Sequence, residues 1–261
     1  MPKKRAVIIL GMHRSGTSAV SRFVNMLGFD LGDHIMSPRA DNPRGFWENQ
    51  EIVCHNDELL ARAGLRWDSL ELDMSSVFKK GFTKKAQNAA LQILKSEFST
   101  NHIVIKDPRI CRLYPVWQEI LWTANFSITP VIVYRDPGAV ARSLEKRDNM
   151  PLNRGLLLWL IYVLEATKYA KRNPILINYD ELIKEPEKSL APLRRLAPKN
   201  FLEARNQFIK KNLSRKLQHY KTRSAANELE KMTQKIANNL LKEDLDPVRK
   251  EILPALLATY K

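Results

Sequence analysis

A chain of 261 residues with 44% hydrophobic content is long enough for one domain with a full three-layer core. Its 43 lysines and arginines outnumber 28 acids, a formal charge of +15, so its surface suits anionic ligands: nucleotides, sulfated or phosphorylated glycans, nucleic acid or an anionic membrane. Two cysteines, Cys54 and Cys111, exclude a disulfide framework, and the longest apolar run, Leu156 to Leu164, falls well short of the ~20 residues that span a bilayer.

The N-terminal Met1-Pro2-Lys3-Lys4-Arg5 precedes only five apolar residues, Ala6–Leu10, too few for a signal-peptide core. A cytoplasmic protein without a transmembrane segment is expected. Ala6–Leu10 reads as a strand. Gly11-Met12-His13-Arg14-Ser15-Gly16-Thr17-Ser18 follows directly and opens a helix over Thr17–Leu27. Helical patterns continue at Glu48–Ala63 and Thr83–Phe98, then a strand at His102–Lys106 and a helix at Val116–Trp122. A strand at Pro130–Tyr134, helices at Gly138–Lys146 and Arg154–Lys171, and a strand at Pro174–Asn178 complete the series. This alternation predicts an α/β three-layer sandwich, a central parallel sheet flanked by helices. Residues 1–220 are expected to form that core. Residues 221–261 read as a helical tail packed on it, with Leu229, Met232, Ile236 and Leu240 at helical spacing and a restart at Asp246-Pro247. A dimerisation or docking helix is the alternative for the tail.

Strand, glycine loop, helix is the arrangement that holds a phosphate. Glycine lets the backbone approach, and the free N–H groups of the first helical turn point at the anion. The spacing of Gly11 and Gly16 is that of a Walker A loop, which makes the fold P-loop-type, but Thr17 stands where that loop has its lysine. Ligands of such sheets bind beyond the carboxyl ends of the strands, where Arg14, Lys106 and Arg135 are expected to converge.

The loop resembles the 5′-phosphosulfate-binding loop of sulfotransferases that use 3′-phosphoadenosine 5′-phosphosulfate (PAPS), in which a basic residue precedes Ser-Gly-Thr. A second element of that family, an arginine ending a strand and a serine eight residues later, is matched by Arg135 and Ser143. The resemblance covers residues 6–60 and 102–190, and is to the bacterial or Golgi-like type rather than the cytosolic steroid type. It implies sulfuryl transfer from PAPS to a hydroxyl or amine, with adenosine 3′,5′-bisphosphate as product and no metal. The implied partners are the nucleotide and a hydroxyl-bearing acceptor, with a saccharide favoured and no nucleic acid. Arg14, the backbone of Ser15, Gly16, Thr17 and Ser18, and the Thr17 and Ser18 hydroxyls would hold the 5′-phosphosulfate. Arg135 and Ser143 would grip the 3′-phosphate, while Arg142 points about 100° away on the helix. Lys106 matches the lysine that stabilises charge on the sulfuryl group.

The chain departs from the cytosolic pattern at Pro108, which stands at the position of the catalytic histidine and cannot accept a proton. Other branches take the base from a glutamate near the helix after the phosphate loop. Glu48, in the turn-rich Asp41-Asn42-Pro43-Arg44-Gly45-Phe46-Trp47-Glu48-Asn49, is the candidate, with complementing a helix dipole as its alternative role. His13, His34 and Asp107 compete as bases; Asp107, beside Lys106 and Arg109, reads as an ion-pairing residue. Asn42, Arg44 and Trp47 are candidates for the acceptor wall. Arg215, in the basic stretch Asn206–Lys221, would reach the nucleotide. The C-terminal Gly-x-x-Gly-x-x-Lys element of the cytosolic family is missing, so the 3′-phosphate site must be completed differently. A P-loop kinase using ATP and magnesium, or a non-catalytic polyanion-binding protein, are the rival functions.

Overall fold

The computed structural model describes residues 3–40, 42–170, 173–213, 225–240 and 245–260. Four parallel strands form its sheet, in the order β2-β1-β3-β4: β1 Lys4–Leu10, β2 His102–Lys106, β3 Phe126–Tyr134 and β4 Ile175–Asn178. The first half supplies helices α1 Thr17–Met26, α2 Gln50–Arg62, α3 Lys84–Glu97 and α4 Ile110–Thr123. After β3 come α5 Pro137–Asp148 and α6 Leu152–Tyr169, and after β4 the helices α7 Tyr179–Lys184, α8 Pro186–Leu190 and α9 Phe201–Asn212. Helices α10 Glu228–Asn239 and α11 Leu253–Tyr260 close the chain's described part.

Strand residues alternate between the two faces of the sheet, and each face builds its own apolar layer. Ala6, Ile8 and Leu10 pack with α4, α5 and α6, whereas Val7 and Ile9 pack with α1, α8 and α9. α6 is buried almost all round, which is why its sequence is nearly continuous apolar. Leu229, Ile236 and Leu240 of α10 and Leu253 and Leu257 of α11 join the first layer, so these helices seat on α5 and α6. The expected boundary at 220/221 lies outside the described residues.

The register positions the site. Ile9 pairs with Lys106, Leu10 with Ile132, and Tyr134 with Asn178. The strands therefore end together, and the loop after β1, Lys106 and Arg135 meet at one edge of the sheet, as the sequence led us to expect.

β3, α4 and α9 differ from the sequence expectation, and α7 and α8 are not anticipated by it. β3 begins at Phe126, ahead of Pro130, because its first half pairs with β1 alone, and a strand tolerates proline where one side has no partner. α4 starts at Ile110 and carries Pro115 within it; burial of Ile110, Cys111, Leu113 and Tyr114 outweighs the lost helical hydrogen bond. α9 begins ahead of the basic stretch Asn206–Lys221 and overlaps its start, because Phe201, Ala204 and Phe208 fall on one buried helical face.

Helices α5 and α6 touch through Gly155. A Cβ there would lie 2.9 Å from the Cα of Ala141. Gly155→Leu is expected to force the two helices apart and cost about 1–3 kcal/mol. A chemical-denaturation midpoint unchanged from the parent would contradict this contact.

Candidate active site

The loop after β1 is shaped by its two glycines. At Gly11 a Cβ would sit 2.2 Å from the Val133 carbonyl oxygen, so only glycine lets the loop pass β3. Gly16, at φ 87°, caps α1 and lies under the Tyr179 ring, where a Cβ would be 2.0 Å from the nearest ring carbon. The Thr17 and Ser18 amides head α1 with no intrahelical acceptor, as helix geometry requires. Ser15 behaves otherwise. It is buried, is not among the cavity-lining residues, and its N–H donates to the Met12 carbonyl at 3.2 Å. Of the four residues whose backbone the sequence assigns to the 5′-phosphosulfate, Gly16, Thr17 and Ser18 therefore line the cavity and Ser15 does not.

One cavity gathers the remaining candidates. Arg14, Gly16, Thr17, Ser18, Glu48, Lys106, Arg135 and Ser143 all line it, and Pro108 sits beside Lys106. Arg215 lies outside the described residues. Asn42, Arg44 and Trp47 also line the cavity, and each at the same time holds its own loop. The Asn42 amide donates to the Gly45 carbonyl at 2.8 Å, Arg44 to the Asn212 carbonyl at 2.5 Å, and the Trp47 ring lies under the Arg22 guanidinium at 4.5 Å.

Glu48 is not in the first helical turn. Asn49 caps α2 by accepting the Ile52 N–H at 3.1 Å, so Glu48 stands just before the helix. Its backbone is held from the other side, where its carbonyl accepts the Met36 N–H at 2.9 Å. Its side chain reaches Lys106. The ammonium of Lys106 donates to the Glu48 carboxylate, to the Ser18 hydroxyl at 3.3 Å and to the Phe46 carbonyl at 3.1 Å. Both members are buried, their side chains 3% and 6% exposed. Burial raises the Glu48 carboxyl above the ordinary glutamate range, Lys106 opposes that rise, and Asp107 adds to it. Desolvating two charges costs several kcal/mol per ion, so such a pair is a poor stabiliser and a good candidate for chemistry.

Arg135 follows the last residue of β3. It approaches the Arg14 carbonyl at 3.4 Å, pairs with Asp180 at 3.5 Å and stacks over Tyr179 at 5.5 Å. Asp136 caps α5 through the Ala139 N–H at 2.7 Å, which starts the helix immediately after the arginine. Ser143 accepts from Arg14 Nε at 2.9 Å, so the two expected phosphate sites are joined by a direct hydrogen bond. Arg14 at φ 68° and Trp47 at φ 55° both hold left-handed backbone, a strain of order 1–3 kcal/mol each that accumulates at functional sites.

The competing bases are placed differently. His34 is bound to Glu97 at 2.8 Å, away from the cavity lining. Asp107 is fully buried and accepts from Asn56 at 2.8 Å and from Arg109 at 2.9 Å, which makes it the ion-pairing residue expected. His13 does line the cavity, edge-on to Trp67 at 4.7 Å. Burial, reinforced by Arg147, Arg109, Lys106 and Arg14, holds its pKa well below the usual histidine value. Sequence reasoning missed Tyr179 and Asn212 as lining residues; Tyr179 follows β4 directly, so its place at the sheet's carboxyl edge was available from the strand pattern.

No protein-family model matches the chain, and no curated protein sequence does. Its structure is similar to the sulfotransferase domain from the Synechococcus PCC 7002 olefin synthase, with TM-score 0.51 and 14% identity over 91% of this chain and 97% of that one. A sulfotransferase domain from the curacin biosynthetic pathway aligns at TM-score 0.42 and 14% identity, over 98% of this chain and 97% of that one. The first likeness defines the class of fold: a P-loop-like α/β sandwich of the kind sulfotransferase domains adopt. Among the described residues no helix is long and apolar enough to cross a membrane.

The phosphate loop also touches Cys111, whose sulfur accepts the Gly11 N–H at 3.0 Å. Burial pushes the Cys111 thiol up to about 12, so it stays protonated at pH 8, whereas Cys54 is exposed. A chromogenic disulfide reagent at pH 8 should titrate Cys54 alone in the native protein and Cys111 only on unfolding. Two fast-reacting thiols in the native state would contradict the packing under the loop.

Proposed function

We propose that the protein is a PAPS-dependent sulfotransferase of the bacterial or Golgi-like type that transfers a sulfuryl group to an acceptor hydroxyl. The observation that carries this reading is the buried Lys106–Glu48 pair at Ser18, on the rim of a loop shaped for a nucleotide phosphate. PAPS supplies an activated sulfuryl group and a stable leaving group, adenosine 3′,5′-bisphosphate. The residues fit it: the uncapped N-terminus of α1 opens into the cavity at Gly16, Thr17 and Ser18, and Arg14, Lys106 and Arg135 bring positive charge to the same cavity.

In this mechanism Gly16, Thr17 and Ser18 would hold the 5′-phosphosulfate through backbone N–H groups and the two hydroxyls. Arg14, which bonds Ser143, would link that site to the one where Arg135 and Ser143 would take the 3′-phosphate. Glu48 accepts the acceptor's proton on its carboxylate. Neutralising Glu48 would weaken its hold on Lys106 and free the ammonium to stabilise negative charge on the leaving group. Proton acceptance and charge stabilisation are thereby coupled in one side-chain pair. A saccharide acceptor is supported by the Trp47 ring and the polar Asn42 and Arg44 along the cavity wall. A metal-free mechanism is part of this reading, with protein cations in the neutralising role.

An acceptor panel of saccharides and other hydroxyl compounds, with release of adenosine 3′,5′-bisphosphate as readout, tests the proposal. Lys106→Ala and Arg14→Ala are expected to abolish nearly all turnover. Glu48→Gln should lose roughly 10²–10⁴-fold. Since Glu48 must be ionised and its carboxyl is raised, turnover should climb with pH on a limb above the ordinary glutamate range, and Glu48→Gln should lose that limb. Full turnover by Glu48→Gln would remove it as the base.

A further inference from the structure

Helix α10 is plugged into the turn that carries Arg135. Glu230 of α10 is fully buried, and its Oε1 lies 2.9 Å from Nη1 of Arg142, the residue before Ser143 on α5. Its Oε2 accepts the Ala226 N–H at 2.8 Å, and Asn227 caps the helix by accepting the Glu230 N–H at 2.9 Å. Both charged groups press on Gly138 in the first turn of α5. A Cβ there would meet Glu230 Oε1 at 1.8 Å and Arg142 Nη2 at 2.6 Å. One turn further along α10, Gln234 Nε2 donates to Asp136 Oδ2 at 3.4 Å, and Asp136 is the cap residue next to Arg135.

α10 therefore grips the start of α5 at its cap Asp136, at Gly138 and at Arg142, a stretch that begins directly after Arg135 and ends beside Ser143. Neither Glu230 nor Arg142 lines the cavity, so neither touches a nucleotide there. Apolar residues would hold the two helices together at least as strongly, because a buried ion pair gives back most of its attraction in desolvation. What an ion pair adds is a set distance and orientation. Leu229 and Ile236 already supply the apolar adhesion from the same helix.

We propose that Glu230 and Arg142 are positioning residues for the 3′-phosphate subsite. Their ion pair over Gly138 sets the rotation of α5 and the turn before it, so that Arg135 and Ser143 face the same point. Helix α10 would then do the work of the missing Gly-x-x-Gly-x-x-Lys element by bracing the subsite from behind. This rests on the sulfotransferase reading above.

The test uses the full chain and two probes, adenosine 3′,5′-bisphosphate and adenosine 5′-monophosphate, in calorimetric titrations of the parent, Glu230→Gln, Arg142→Met, the double variant and Gly138→Ala. The bisphosphate should lose about 10-fold in affinity in each single variant while the monophosphate changes less than about twofold, and the double variant should be no worse than either single one. Gly138→Ala ordinarily favours a helix, so the same loss of 3′-phosphate preference there cannot come from helix propensity. An unchanged affinity ratio in the folded variants, or equal losses for both probes, would overturn the proposal and leave the pair a purely structural contact. A parent protein with no preference for the bisphosphate would instead overturn the sulfotransferase reading itself.

Discussion

The Lys106 ammonium, carried by β2, is buried where two other segments far apart in the chain meet, and it binds both of them. It takes the Ser18 hydroxyl from the first turn of α1, and the Phe46 carbonyl and Glu48 carboxylate from the loop before α2. The end of β2 places it there, in register with Ile9 beside the loop's own strand. A buried ammonium without that carboxylate would be a large penalty, so the loop before α2 has to close over the start of α1 for the charge to be tolerated. The cavity's shape follows from that closure.

The other cations are secured by the same economy of partners. Arg135 is held by Asp180 and the Tyr179 ring, both supplied by the first turn of α7 directly after β4. Arg109 is held by Asp107 and Asp57, and Asp107 in turn by Asn56, whose carbonyl oxygen accepts from Trp117. Lys106 and Arg135 are thus each oriented by an acid from another element, while Arg14 is held by the Ser143 hydroxyl and Arg44 by the Asn212 carbonyl. Such preorganisation is what electrostatic catalysis requires. α10 extends the pattern to α5 through Glu230 and Arg142.

Much of this was legible in the sequence because it is local. Strand-loop-helix punctuation located β1 and α1, and the Asp136-Pro137 pair located the start of α5. Convergence of Arg14, Lys106 and Arg135 followed from parallel strands ending at one edge. The misplacement of Glu48 in a helix was avoidable, since Asn49 is a far better cap than Trp47 and sits three residues before Ile52. Other features depend on long-range contacts that no spacing reveals. The inward turn of Ser15 depends on Met12, the start of α4 ahead of Pro115 on burial, and the Glu230–Arg142 pair on two residues 88 positions apart in the chain.

The central claim is that the cavity is built for a nucleotide carrying a 3′-phosphate. Calorimetric titration of the parent protein with adenosine 3′,5′-bisphosphate and with ADP, each with and without magnesium, tests it most directly. Binding of the bisphosphate that is independent of magnesium and much tighter than that of ADP is the expected result. Preference for ADP with magnesium would contradict the claim in favour of a kinase, and weak, salt-sensitive binding of both would contradict it in favour of a polyanion-binding scaffold.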